Sequence, residues 1–219
     1  MNRVFVSAGT PADQRQTDFR DAIINALELA GLSPRLMTAS DWDYKNPLRG
    51  VRRAMQGCCG VVVIAYARYK VESGEELRQG GNKPLTASFP TAWNHIEAAM
   101  AYERQLPLLV VAENGLKPDA MFDKKAADVN PFWCDLDPKL TKSEGFKGYL
   151  HSWKDDVDIF AAEESKRARH QASSELTLFQ VFAALPWYEA IAFTATLLGL
   201  LFAAATFGYR WGSGQWPFG

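Results

Sequence analysis

The sequence predicts an α/β fold, a doubly wound parallel sheet in strand order 2-1-3-4, with a C-terminal transmembrane helix appended. Three observations carry this. Short apolar runs alternate with segments of helical period through the first half of the chain, and parallel strands joined in that way need right-handed crossover helices. The runs at 61–65 and 106–112 are apolar almost throughout, as in strands covered on both faces. Residues 190–209 carry no charge and are rich in Ala, Leu and Phe.

The first strand covers 3–7. After Ser7, the small residues Ala8, Gly9, Thr10 and Pro11 form a turn that leaves backbone N–H groups free at a helix start, where a phosphate or a ribose hydroxyl can be held. Phe19, Ala22, Ile23, Ala26, Leu27 and Ala30 recur at helical spacing, which predicts a helix over 13–30 with Gly31 beyond its end. A second strand at 34–38 is followed by a polar loop over 40–47, with Asp41 and Trp42 as candidate ribose or base contacts. A short amphipathic helix at 48–56 leads to the third strand at 61–65.

The next stretch, 66–88, is a long polar connection that contains Arg68, a candidate phosphate ligand. It leaves the carboxyl end of the third strand beside the turn after the first, where doubly wound sheets bind ligands, so it reads as a loop covering a pocket. A helix beginning near Thr91 then carries Trp93 and Glu97 on one face, four residues apart. Ala98, Ala101 and Met100 supply its core side, and His95 points away from Glu97 toward solvent or the cover. The fourth strand is 106–112, residues 132–136 offer a fifth at the edge, and a last helix covers 148–160.

With 219 residues, the chain has room for one domain of ordinary size and an appendage. The expected division is an α/β domain at 1–160, a charged connector and interfacial helix at 161–189, a membrane span at 190–209 and a short tail at 210–219. At about 1.5 Å per residue the uncharged run covers roughly 30 Å, the hydrocarbon thickness of a bilayer. Trp187, Tyr188, Tyr209 and Trp211 flank it as interfacial aromatics. No signal segment stands at the N-terminus, so the expected localisation is a single-pass membrane protein with its α/β domain in the cytosol and the lipid bilayer as a partner. Ala195, Gly199 and Ala203 recur every four residues, a stripe that permits close helix contact and predicts a homo-oligomer. A net charge of -1 gives no general attraction to nucleic acid. The three cysteines suit reduced thiols, and no residues stand at metal-ligand spacing.

Glu97 is the leading catalytic candidate. A carboxylate beside an indole, under a cover, suits the cleavage of an N-glycosidic bond, which develops positive charge at the anomeric carbon. Two resemblances support that reading. Glu97-x3-Ala101-x5-Pro107, followed by an apolar strand, is similar to the signature of nucleoside 2-deoxyribosyltransferases around their catalytic Glu. Trp93-x3-Glu97 resembles the Trp and Glu of Toll/interleukin-receptor (TIR) domains, whose Glu is catalytic in the NAD-cleaving members. The likeness runs from Val4 to about Ala112 and includes Ser7 to Thr10 and the stretch from Gly57 to Val63.

Both families have a flavodoxin-like architecture and act on glycosidic bonds of ribose or deoxyribose. Ser88-Phe89-Pro90-Thr91 stands where the transferases have Asp-x-Gly-Thr, and Leu106 replaces their Lys, so the resemblance implies hydrolysis rather than transfer. It thus implies a membrane-anchored N-glycosidase with NAD or another nucleotide as substrate, no separate cofactor, and a place among self-assembling defence effectors. The alternative is a non-enzymatic module that binds a nucleotide or a partner and signals through its membrane segment.

Overall fold

The computed structural model describes residues 1–125, 129–174 and 186–213. By compactness the chain divides into two units, Met1–Glu164 and Ser165–Gly219.

The first unit is an α/β fold. Its strands and helices run β1 (Asn2–Ala8), α1 (Gln14–Leu29), β2 (Leu32–Leu36), α2 (Pro47–Met55), β3 (Val61–Ala65), β4 (Tyr69–Glu76), β5 (Lys83–Phe89), α3 (Ala92–Glu103), β6 (Leu108–Glu113), β7 (Phe132–Cys134) and α4 (Glu144–Ser174). Five strands form a parallel sheet in the order β2-β1-β3-β6-β7. This agrees with the predicted order, including the edge strand offered at 132–136, which pairs through Val111 with Phe132 and Glu113 with Cys134.

Alternation along the strands sends side chains to two cores. Val4, Val6, Val62, Ile64, Leu109 and Val111 pack on one face with Phe19, Ile23 and Leu27 of α1 and with Phe146, Trp153 and Val157 of α4. Phe5, Val61, Val63 and Val110 pack on the other with Val51 and Met55 of α2 and Ala98 and Ala101 of α3. Each stripe follows from helical spacing, since residues three and four apart share a face. The Asp13 side chain accepts from the Gln16 backbone N–H to start α1, and Gly31, at φ 81°, turns the chain after its C-cap residue Ala30. Gly60 allows α4 to approach, because a Cβ there would lie 2.7 Å from Val157 Cγ2. Cys58, Cys59 and Cys134 are free thiols, and burial raises Cys58 to about 11 and Cys134 to about 12.

The stretch expected to be a covering loop is instead a β-hairpin, β4 paired antiparallel with β5. Both of its faces are largely exposed, so no apolar alternation announces it. Its backbone hydrogen bonds give it order without a core of its own. Near its base, Lys117 N–H donates to the Ser88 carbonyl at 2.9 Å, and the Lys117 ammonium lies 3.5 Å from Glu76, the last residue of β4.

The last helix of the first unit begins earlier than the sequence implies and runs on to Ser174, across the boundary between the units. In the second unit a further helix, α5, covers Trp187–Ser213. Among the described residues no helix is long and apolar enough to cross a membrane, which corrects the expectation of a span at 190–209. The single-pass membrane localisation is therefore set aside. The expected interfacial helix at 176–185 lies outside the described residues, as do positions 214–219 of the expected tail.

Candidate functional site

The polar centre of the first unit forms where β1 ends beneath the start of α3. Thr91 caps α3, its Oγ1 accepting from the Trp93 N–H at 3.4 Å. The first turns of this helix then direct Asn94 and Glu97 inward, on the side that buries Ala98 and Ala101. Ser7, Asn94 and Glu97 are all buried, Glu97 at 7% exposure. Asn94 Nδ2 donates to Ser7 Oγ at 3.0 Å and approaches the Ser7 carbonyl oxygen at 3.5 Å. Burial pushes the Glu97 carboxyl up to about 7, and the polar Ser7 side chain opposes part of that rise.

A cavity of about 350 Å³ opens over this floor. That volume is within the range of small-molecule sites. Gly9 and Thr10 enter it from the turn after β1, Leu36, Met37 and Trp42 from the region after β2, and Arg68 and Tyr69 from the approach to the hairpin. Trp93, Asn94 and Glu97 of α3 complete the wall together with Val6, Ala8 and Thr91. The Trp42 and Trp93 rings meet edge to face with centroids 5.8 Å apart. Arg68 is exposed, and among the described residues no carboxylate forms an ion pair with it. The cavity thus combines a buried acid, aromatic walls and a guanidinium at the rim.

No family model and no curated protein matches the sequence. Among solved structures the chain is similar to the CMP N-glycosidase BcmB of Clostridium botulinum. The two share 11% identity and a TM-score of 0.44, over 64% of this chain and 95% of that one.

Of the residues singled out in the sequence, Gly9, Thr10, Trp42, Arg68, Trp93 and Glu97 line the one cavity. Ser7 lies beneath it, hydrogen-bonded to Asn94. Asp41 does not line it. Its carboxylate pairs with Arg35 at 2.5 Å and accepts from the Thr38 backbone N–H at 2.7 Å, and the latter contact leads in holding its pKa below the ordinary carboxylate value. Asp41 therefore organises the loop that carries Trp42. His95 does turn from Glu97, but its ring packs on Phe122 with centroids 4.3 Å apart rather than meeting solvent or a cover. Burial lowers its pKa, and Asp119, 3.5 Å away, opposes the shift.

Three contributors escape sequence reading. Asn94, one turn before Glu97, carried a signal in its spacing, since an amide on the buried face of a helix needs a partner. Tyr66, at the end of β3, donates from its hydroxyl to the Gly9 carbonyl and so ties the loops after β1 and β3 together. Tyr69 enters the wall only because the hairpin places it there. Among the described residues no group of His, Cys, Asp and Glu forms a metal-ligand set.

Proposed function

We propose that the chain is a nucleotide N-glycosidase in which Glu97 acts at the anomeric carbon of a ribose, with NAD or a related nucleotide as substrate. One observation carries the reading: a buried carboxyl, raised to about 7, at the floor of a cavity that also offers two indoles and a guanidinium with no ion pair among the described residues. The resemblance of Trp93-x3-Glu97 to TIR domains supports the same chemistry.

Breaking the bond between C1′ and the base nitrogen leaves the electron pair on the base and positive charge on the sugar. Ionised Glu97, buried at the cavity floor, stabilises that charge more strongly than an exposed carboxylate would. One water then adds at C1′ and releases a proton, giving free base and a sugar hydroxyl. A pyridinium base such as nicotinamide leaves as a neutral molecule and needs no proton donor. Among the lining residues the titratable groups besides Glu97 are Arg68 and Tyr69, and Tyr69 is 61% exposed. That set favours a substrate whose base is already cationic. In this reading Trp42 and Trp93 flank the base, Arg68 meets a phosphate, and Gly9 and Thr10 meet the ribose or its phosphate.

The test incubates the full chain with NAD, nucleoside monophosphates and nucleosides and follows free base by chromatography. Release from NAD that Glu97→Gln abolishes is the expected result. Nucleotide binding without turnover, unchanged by Glu97→Gln, would instead make the chain a non-enzymatic binding module.

A further inference from the structure

We infer that Gln16 and Glu113 are positioning residues: from outside the cavity they grip the backbone of Ala67 and thereby hold its neighbour Arg68 at the rim as a phosphate ligand. The inference rests on the proposal that the cavity takes a nucleotide.

Three hydrogen bonds fix the chain where it leaves β3. The Ala67 N–H donates to Glu113 Oε2 at 2.8 Å, the Ala67 carbonyl accepts from Gln16 Nε2 at 3.0 Å, and the Arg68 N–H donates to the Phe89 carbonyl at 2.8 Å. The first belongs to the peptide plane before Ala67 and the other two to the plane after it. Each peptide unit is planar, so pinning two successive planes fixes both dihedrals of Ala67 and with them the direction in which Arg68 departs. One residue earlier, the Tyr66 hydroxyl is tied to the Gly9 carbonyl. Arg68 and Tyr69 line the cavity, whereas Gln16 and Glu113 do not.

The identity of residue 16 follows from what its amide donates. Gln16 is the third residue of α1 after the cap Asp13, the place from which a Glu or Gln ordinarily reaches back toward the cap. Its Oε1 accepts from the Ala12 N–H at 2.7 Å. A backbone N–H can only donate, so the amide oxygen faces Ala12 and the NH₂ end is left for the Ala67 carbonyl. A glutamate would serve the first contact equally well but would set oxygen against oxygen at the second. Gln16 is 4% exposed, and an amide buried so far is costly unless paired.

Glu113 closes β6, and its other oxygen meets Arg15 at 2.9 Å. The Arg15 side chain is 60% exposed, and a solvent-screened pair of that kind stabilises little, so the contact with Ala67 is the one that uses the acid's place. Ala67 itself is only half-buried, within reach of water that would satisfy its backbone. Holding two long side chains against it instead costs their rotamer freedom, and the return is a fixed direction for Arg68.

The experiment measures, by calorimetry, how tightly nicotinamide mononucleotide and nicotinamide riboside bind the full chain carrying Glu97→Gln, so that no ligand is turned over. The two ligands differ by one phosphate, and the ratio of their affinities reads phosphate recognition alone. Arg68→Gln sets the scale, with an expected loss of about five- to tenfold in that ratio. Gln16→Met, which keeps the volume and removes the amide, is expected to remove most of the same ratio and to leave the riboside little changed. Glu113→Ala, with the Ala12 contact still in place, should do likewise. Glu113→Gln, whose amide oxygen still accepts from the Ala67 N–H, and Arg15→Ala, which breaks the ion pair alone, should both keep the ratio. Adding Arg68→Gln to Gln16→Met should take little more, because both act through one guanidinium. Thermal melts identify the folded variants, and Glu113→Ala read against Glu113→Gln decides where Gln16→Met does not fold. A ratio that survives in the folded variants, or equal losses on both ligands, would overturn the inference. So would a parent that binds neither ligand, or one in which Arg68→Gln leaves the ratio unchanged. Failure of the enzymatic reading shows separately, as intact phosphate discrimination in a chain that releases no base.

Discussion

Trp42 and Trp93 touch edge to face, their ring planes at 83° and their centroids 5.8 Å apart, although they come from the loop after β2 and from the first turn of α3. Such a pair contributes about 0.5–1.5 kcal/mol beyond area burial. Trp42 is 53% exposed, so the fold depends on it little. Trp42→Ala should therefore melt within a few degrees of the parent while KM for a nucleotide rises about tenfold, as expected for loss of about 1.4 kcal/mol of stacking. Steady-state kinetics beside a thermal melt checks this. An unchanged KM would remove Trp42 from the base-binding wall.

Glu97 should make stability and activity respond to pH in opposite directions. Its ordinary value is 4.5 and in the fold it titrates at about 7, so the folded state holds the proton more tightly than the unfolded chain. The stability this contributes is fully present below about 4.5 and is lost as pH rises through about 7. The whole difference corresponds to about 3 kcal/mol. Glu97→Gln carries no such charge. Urea unfolding of parent and variant should show near-equal stability at pH 5 and a deficit in the parent of up to that amount at pH 8. A gap independent of pH would mean that Glu97 is not buried as described. Over the same window the rate should climb, because the ionised form is the one that stabilises the developing charge.

What the sequence made legible and what it hid divide along physical lines. Unbroken apolar runs such as Val61–Ala65 can only be buried strands or core helix, and the observed order follows from them once the chain reverses after the first unit, a reversal that the runs themselves do not encode. Trp93 and Glu97 were readable as a pair because helix geometry is local. The hairpin of β4 and β5 was not, since it buries neither face and so carries no periodic signature. Asp41 looked like a ligand because a loop acid gives no hint that Arg35 and Thr38 already occupy it. The run at 190–209 shows the converse error, in which composition alone was taken to fix the surroundings of a helix.

Arg68 should distinguish nucleotides from nucleosides. Its guanidinium lies at the cavity rim with no ion pair among the described residues, so neutralising it leaves no carboxylate stranded. An exposed charge-assisted contact with phosphate contributes on the order of 1 kcal/mol. Arg68→Gln should raise KM for a phosphorylated substrate by roughly five- to tenfold, leave that for the matching nucleoside unchanged, and flatten the salt dependence of the former. Equal losses on both substrates would assign Arg68 to the shape of the hairpin base rather than to phosphate.

The turn after β1 gives a test that separates packing from chemistry. A Cβ at Gly9 would lie 3.3 Å from Thr91 Cγ2 and 3.8 Å from Tyr66 Cε2, so the methyl of Thr91 is the tight contact. Gly9→Ala should then cost roughly 1 kcal/mol, through crowding at the point where β1 meets α3. Activity should fall with it, because displacing Thr91 moves the cap of the helix that carries Glu97. Thr91→Ser removes the methyl and keeps the oxygen that accepts from the Trp93 N–H, and alone it should be nearly neutral. Combined with Gly9→Ala it should restore most of the lost stability and rate, a non-additivity that a double-mutant cycle measures directly. Additive losses would place the effect of Gly9 in its backbone instead, in the carbonyl that accepts from Tyr66 or in the freedom of the turn itself.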